Sequence, residues 1–238
     1  QDPALEAAAR RPGIDVLLAS CFPERVPDEL LAHFAGRACN LHPTLLPRYR
    51  GPAPLLPLLY DEALDASGVT LHLMTRRFDE GDLVAQQPVP WPANGGFRAW
   101  EADLAEACGR LAVEALPQFL AGQLAAQPQP AGGAYVRGLP REALAVDRTL
   151  DERRARWLAS AVGEVAPLAI AAPWGVERVV AVTGSQSATG EPARRVGWRT
   201  VQCDVADARL AWRRCDKLHR RWQRIHELAL LRRRPLAA

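Results

Sequence analysis

The sequence predicts an α/β fold in its first half, followed by a small β-rich unit that ends in a basic helix. Three observations carry this prediction. Ile14–Ser20 is a nearly continuous apolar run, typical of a strand buried on both faces of a parallel sheet. Segments with strand and helix patterns then alternate along the first half of the chain. In the second half, most segments are short and alternate between apolar and polar residues, which is typical of antiparallel strands.

Each element of the first half has a local cause. Pro27 at a helix start and Gly36 at its stop predict a short helix between them. An apolar segment over 54–64 and an amphipathic pattern over 99–120 predict two more helices, and Pro117 is expected to perturb the last turn of the second. Three strands are predicted over 38–42, 68–74 and 83–89.

The two halves are separated by a segment rich in proline and glycine. We predict one domain over 1–126, a linker over 127–147 and a second domain over 148–238. In the second domain, Thr149 and Glu152 have the spacing of a capping box, which predicts a helix beginning there.

A basic segment closes the chain. Residues 213–234 contain nine basic side chains and two acidic ones. This pattern predicts a basic helix, for which a solvated face is the usual role and RNA binding the alternative.

Composition narrows the class of protein. The chain has 238 residues, 48% of them hydrophobic, and a formal net charge of +3, which suits a globular protein with a real core. Its five cysteines form no C-x-x-C pair, so we expect neither a disulfide framework nor a metal site, and a cytoplasmic location. Neither a signal-peptide core nor an apolar run long enough for a bilayer is present in the sequence, which argues against a membrane role.

The residues with the clearest chemistry lie in the second predicted strand and in a later turn. Asn40 and His42 are two positions apart, so in a strand both side chains point to the same face. Asp79 lies on a glycine-containing turn between two later strands. An amide, an imidazole and a carboxylate at one edge of a sheet could act in acid–base catalysis and stabilise an oxyanion.

Two long motifs sharpen this interpretation. "NLHPTLLPRYRGPAP" (40–54) and "GVTLHLMTRRFDEGDLVAQQ" (68–87) resemble the folate-dependent formyltransferases, which include transfer-RNA, amino-sugar and glycinamide ribonucleotide enzymes. The similarity extends back to residue 13 and forward to residue 125. It implies a partial Rossmann-like formyltransferase domain and, for the second half, the C-terminal subdomain of the transfer-RNA and amino-arabinose members.

The resemblance implies a role for each residue of the polar group. Asn40 matches the asparagine that donates to the formyl oxygen as negative charge develops there. His42 matches the histidine that, when protonated, stabilises the same oxyanion. Asp79 matches the aspartate that keeps this histidine charged and helps to remove a proton from the attacking amine. The implied chemistry is acyl transfer without a covalent enzyme intermediate.

The resemblance also implies the contacts of the formyl donor, 10-formyltetrahydrofolate. Two loops are expected to hold it, largely through backbone groups, and the residues concerned are Phe22, Glu24, Val26, Met74, Thr75 and Phe78. Arg48 and Arg50 are candidates for an anionic acceptor or the folate tail, with solvation of the loop as the alternative. For His72, on a predicted strand, packing is the expected role. No metal is implied.

One feature of the family is absent from this sequence. Relatives begin with about three more strands, so the outer edge of the strand at Ile14–Ser20 is expected to lack a partner. Three explanations are open: the sequence is a fragment, a companion chain supplies the missing half, or a second protomer completes the sheet. The implied function is formyl transfer to an acceptor amine, in the manner of methionyl-tRNA formyltransferase. A small-molecule N-formyltransferase for amino sugars or hydroxyornithine, a formyltetrahydrofolate hydrolase, and a non-catalytic binding module remain the alternatives.

Overall fold

The computed structural model describes residue 7 and residues 11–20, 22, 25–93, 96–163 and 165–215. The chain divides into two units, Gln1–Leu139 and Pro140–Ala238. The predicted basic C-terminal helix and Glu24 lie outside the described residues.

A four-stranded sheet forms the centre of the first unit. Its strands are β1 (Leu17–Ser20), β2 (Ala38–His42), β3 (Gly68–Leu73) and β4 (Leu83–Pro88), in that spatial order. β1 and β2 are parallel, whereas β2–β3 and β3–β4 are antiparallel. The three strands predicted after the first helix are therefore confirmed, and so is the α/β class of this half.

β1 differs from the prediction of a strand buried on both faces. It is the end strand of the described sheet, and its residues alternate between half-buried and exposed. Leu18 remains 38% exposed and Ile14, just before the strand, 45%. Within the described residues no strand pairs with the outer edge of β1. Completion of the sheet by a second protomer or a companion chain stays a prediction.

Within the described positions of residues 11–139, three α-helices accompany this sheet: α1 (Asp28–His33), α2 (Leu55–Tyr60) and α3 (Phe97–Leu120). Extended Pro27 and an acidic first turn begin α1, since negative charge is favourable at a helix N-terminus. α3 packs on β3 and β4, and its buried residues recur at helical spacing through Trp100, Leu104 and Leu111. The described helices include none that is both long and apolar enough to cross a bilayer.

The second unit is a β-rich domain, as predicted. Its six-stranded sheet has the order β5-β6-β7-β10-β9-β8. The strands are β5 (Ala145–Val146), β6 (Leu168–Ala172), β7 (Gly175–Ser187), β8 (Arg194–Arg195), β9 (Thr200–Asp204) and β10 (Ala208–Arg214). Except for the parallel pair β5–β6, neighbouring strands are antiparallel.

The helix of the second unit, α4 (Glu152–Ala161), begins differently from the prediction. Its N-cap is Asp151, whose side chain accepts a hydrogen bond from the Arg154 backbone N–H at 2.6 Å. Thr149 instead donates its hydroxyl to Asp147. The predicted capping box of Thr149 and Glu152 is therefore wrong, because the nearer aspartate accepts the Arg154 N–H, while the Glu152 N–H donates to Asp207.

The predicted linker of 127–147 also differs from the structure. Residues 127–138 belong to the first unit, and the division falls between Leu139 and Pro140. Gln127 forms an antiparallel bridge with Leu83, in which each backbone N–H donates to the other's carbonyl. Backbone pairing of this kind ties to the first unit a segment that its proline and glycine content had marked as a linker.

Candidate active site

β2 places Asn40 and His42 on one face of the sheet. The antiparallel register sets His72 of β3 directly opposite Asn40, and Thr70 opposite His42. Residues directly opposite in such a pair have neighbouring side chains on the same face. The sequence spacing therefore predicted the first two residues, while the cross-strand partner His72 follows only from the register.

Asp79 reaches this face from the turn between β3 and β4. Its backbone lies in the left-handed region, with φ of 57°. Two residues later, Gly81 passes so close to β3 that a Cβ there would lie 1.8 Å from the Leu73 carbonyl oxygen. The turn is held closed by the Leu73 N–H, which donates to the Asp82 carbonyl at 2.9 Å. A tight, partly strained turn thus directs the carboxylate back over the sheet.

The predicted polar residues converge around this carboxylate. Asp79 Oδ2 lies 3.5 Å from His42 Nδ1 and accepts the Gly51 backbone N–H at 2.7 Å. Asp79 Oδ1 lies 3.4 Å from Asn40 Nδ2 and 3.5 Å from His72 Nε2. The group is largely shielded from water, with His42 3%, His72 2% and Asp79 7% exposed. His72 is thus part of the polar group, beyond the packing role expected from the sequence.

The carbonyl partners of the two histidines fix where their protons lie. His72 Nδ1 is 2.8 Å from the Leu73 carbonyl oxygen, and His42 Nε2 is 2.9 Å from that of Tyr49. A carbonyl can only accept, so both of these nitrogens carry hydrogen. The second ring nitrogen of His72, Nε2, lies 3.2 Å from the Asn40 amide nitrogen.

The charges of the group follow from burial and from these contacts. Burial lowers the pKa of His42, although the Asp79 carboxylate and the Tyr49 carbonyl act in the opposite direction. For Asp79, burial raises the pKa, but the contact with His72, the charge of His42 and the Gly51 N–H outweigh it and leave the pKa below its usual value. The free site therefore holds an ionised aspartate beside a neutral His42 at neutral pH.

The residues predicted to contact folate lie in two neighbouring loops. Arg76 of the later loop lies 3.3 Å from Asp28, which follows the earlier one. Phe22 and Thr75 are exposed and Phe78 is half-buried. Val26 and Met74 instead pack in a hydrophobic cluster, whose buried members are Val26, Leu30, Phe34 and Ala38.

The two arginines predicted to meet an anion are both engaged. Arg48 pairs with Asp65 at 2.6 Å on an exposed surface. Arg50 donates from Nε and Nη2 to Gln129 Oε1, at 3.2 and 2.7 Å. Gln129 also donates to the backbone of the Asp79 turn. Sequence reasoning missed Gln129, because the segment around it resembles a linker.

A strap, residues 127–136, holds this part of the site together. The Arg50 N–H donates to the Ala134 carbonyl, and the Val136 N–H donates to the Arg50 carbonyl at 2.7 Å. Glycines stand where the two backbones approach. A Cβ at Gly51 would lie 2.2 Å from the Val136 carbonyl oxygen, and one at Gly133 would lie 1.9 Å from that of Pro47.

Other catalytic chemistries find little support in the described part of the chain. It contains no group of three or more histidine, cysteine, aspartate and glutamate side chains that could hold a metal ion. Cys39, next to Asn40, is buried, and burial raises the pKa of its thiol to about 11. A thiol with that pKa is a poor nucleophile at neutral pH.

With this geometry in place, the comparison with known families gives the class. Residues 1–116 match the formyl transferase family model. This match confirms the resemblance to the formyltransferases that the motifs of the sequence predicted.

Individual relatives show how far the similarity extends. The chain is 32% identical over 136 residues to the methionyl-tRNA formyltransferase of Listeria monocytogenes serotype 4a (strain HCC23), which covers 57% of this chain and 43% of the relative. It therefore spans less than half the length of that curated relative.

Solved structures share the fold over most of the chain. HypX from Aquifex aeolicus in complex with tetrahydrofolic acid superposes with a TM-score of 0.63 at 19% identity, over 91% of this chain and 39% of HypX. The N-formyltransferase from Helicobacter canadensis, in complex with folinic acid and dTDP-3-aminofucose, gives 0.64 at 14% identity, over 88% and 77%.

Proposed function

We propose that this protein transfers a formyl group from 10-formyltetrahydrofolate to an acceptor amine. The observation that carries the proposal is the convergence of Asn40 and His42 on the Asp79 carboxylate, in a buried group on one face of the sheet. The match of residues 1–116 to the formyl transferase family model supports it.

The reaction needs hydrogen-bond donors where charge develops. As the amine nitrogen bonds to the formyl carbon, the formyl oxygen gains negative charge, and the bond to the donor nitrogen then breaks. The Asn40 amide is the donor that would bond to this oxyanion, and a protonated His42 would stabilise it through its positive charge. In the free protein the Asn40 Nδ2 contacts His72 and Asp79, so the formyl oxygen must replace one of these contacts.

A neutral His42 beside an ionised Asp79 can take up one proton. Burial keeps His42 neutral and its Nδ1 faces the ionised Asp79 at 3.5 Å. A proton released by the attacking amine can be held at Nδ1, where the carboxylate stabilises it, and then passed to the leaving nitrogen. Uptake of this proton also gives His42 the positive charge that favours the oxyanion.

The two neighbouring loops supply candidate folate contacts. Phe22, Thr75 and Phe78 offer accessible side-chain surface, while Val26 and Met74 support the loops from below. Glu24 stays a prediction outside the described residues. For Arg48 and Arg50, the observed partners favour holding the loop in place over binding an anion.

Methionyl-tRNA is the acceptor that we propose first. The similarity to curated methionyl-tRNA formyltransferases, at 32% identity over 136 residues, favours it. The exposed surface of the second unit fits this choice, because Arg199 stacks on Trp198, which is 74% exposed. Basic and aromatic side chains together suit a nucleic-acid surface.

The test is to supply formyltetrahydrofolate with methionyl-tRNA, amino sugars or no acceptor, and to follow tetrahydrofolate release. We expect release that depends on methionyl-tRNA and is lost in Asn40→Ala and His42→Ala. Release with an amino sugar would reassign the acceptor, and release without any acceptor would indicate a hydrolase. No turnover under any condition would refute the proposal in favour of a binding module.

A further inference from the structure

Gln129 in the strap makes every hydrogen bond that its carboxamide allows. Oε1 accepts two, from Nε and Nη2 of Arg50, and Nε2 donates two, to the Asp79 carbonyl at 2.8 Å and the Gly81 carbonyl at 2.7 Å. A carboxamide has two acceptor positions and two donor hydrogens, so none is left over. The side chain lies within the first unit, half-buried against the Asp79 turn.

The two carbonyls held by Gln129 bracket the turn that directs Asp79. Asp79 has φ of 57°, a conformation that costs a non-glycine residue free energy unless its surroundings hold it. The carbonyl and the side chain of Asp79 are attached to the same Cα, so fixing the carbonyl restricts the direction of the carboxylate. That carboxylate must lie within reach of both Asn40 and His42.

We propose that Gln129 is a positioning residue for formyl transfer: it holds the Asp79 turn so that the carboxylate stays between Asn40 and His42. The inference rests on the proposed function. The Oε1 atom of Gln129 accepts from Arg50 and so connects the Asp79 turn to Arg50. Gly51, the residue after Arg50, donates its backbone N–H to the Asp79 carboxylate. A single side chain therefore joins the two loops that form the site.

Two substitutions distinguish the role of the carboxamide oxygen, which accepts from Arg50, from that of the carboxamide N–H groups, which donate to the Asp79 turn. Gln129→Glu keeps an acceptor for Arg50 but has no N–H for the Asp79 and Gly81 carbonyls. Gln129→Met keeps the length of the side chain and removes both halves. If positioning of the Asp79 turn is what matters, both variants are impaired; if only the tie to Arg50 matters, the Glu variant keeps its activity.

The first readout is steady-state kinetics of the full chain. We expect kcat to fall about 10- to 100-fold in both variants, since small misplacements of a reacting group cost this much, while KM for formyltetrahydrofolate changes less than about threefold. Gln127→Met is the matched control, because Gln127 lies two residues earlier in the strap with an exposed side chain and pairs only through its backbone. Wild-type kcat in Gln129→Glu would overturn the proposal.

The second readout needs no turnover. Asp79 raises the pKa of His42 against the effect of burial, and the other titratable group near the ring is His72, 6.4 Å away between ring centroids. Displacing the carboxylate should therefore lower the midpoint of the His42 titration, measured by NMR in Gln129→Met and in the wild type. An unchanged midpoint would overturn the positioning role, whereas absence of turnover in the wild type would overturn the proposed function alone.

Discussion

Replacing Asn40 by alanine tests the oxyanion donor directly. Loss of one preorganised donor typically slows catalysis about 100- to 1,000-fold, which corresponds to about 2.7–4 kcal/mol in the transition state. The same change removes two long hydrogen bonds, at 3.2 and 3.4 Å, and should lower the free energy of unfolding by only about 1–2 kcal/mol. We therefore expect kcat to collapse in a protein that is still folded.

The assay is release of tetrahydrofolate at saturating donor and acceptor, with urea denaturation alongside. Gln86→Ala is the matched control, because Gln86 Nε2 also makes two hydrogen bonds, to Leu46 O and Thr70 Oγ1 on the same sheet. It should lose a similar amount of stability and retain kcat. The reasoning is refuted if Asn40→Ala keeps kcat within threefold of the wild type, or if its defect lies only in KM.

Three further outcomes follow from the described contacts. Because burial lowers the pKa of His42, this side chain takes up a proton at a higher pH in the unfolded chain than in the folded one, so the free energy of unfolding should fall as the pH drops below 6.5. His42→Gln should flatten this pH dependence in urea titrations at pH 5–6.5. An unchanged pH dependence would contradict the lowered pKa. Trp100 is fully buried and donates to Ser67 Oγ at 2.8 Å, so Trp100→Ala should lower the free energy of unfolding by about 3–5 kcal/mol, measured with denaturant. A loss below about 1 kcal/mol would show that the surroundings of Trp100 are not tightly packed. In the second unit, Asp204→Ala leaves the buried Arg209 without the carboxylate it contacts at 2.9 Å, which should cost about 3–5 kcal/mol, whereas the double variant with Arg209→Met should recover most of it.

Local patterns predicted the elements, and the resemblance predicted the site. Period two alone sufficed to put Asn40 and His42 on one face, because a strand allows no other arrangement. Nothing local connects Asp79 with them, 37 residues after His42; that connection came from the family motifs. His72 was under-rated because its place opposite Asn40 depends on strand register, which one sequence does not specify.

The sequence predictions that differ from the structure concern segments whose conformation is set by tertiary contacts, which composition does not reveal. Proline and glycine around Gln129 suggested a linker between domains, yet backbone pairing with Leu83 and Arg50 ties this segment to the first unit. The N-cap of α4 was misassigned because three oxygen-bearing side chains occur within five residues, and only geometry decides that Asp151 bonds the helix. β1 is less buried than its apolar sequence suggests because it lies at a sheet edge.

The crossing of the strap over the Pro47–Gly51 loop has a consequence for how this sequence can vary. Each backbone has its glycine at the point where the other presses closest, while Gln129 must meet Arg50 and Tyr135 must bridge to it. Gly133 is four positions after Gln129, and Tyr135 is two positions after Gly133. Inserting or deleting one residue there would shift every later residue of the strap away from its partner. The strap has the composition of a spacer, but its contacts fix its length.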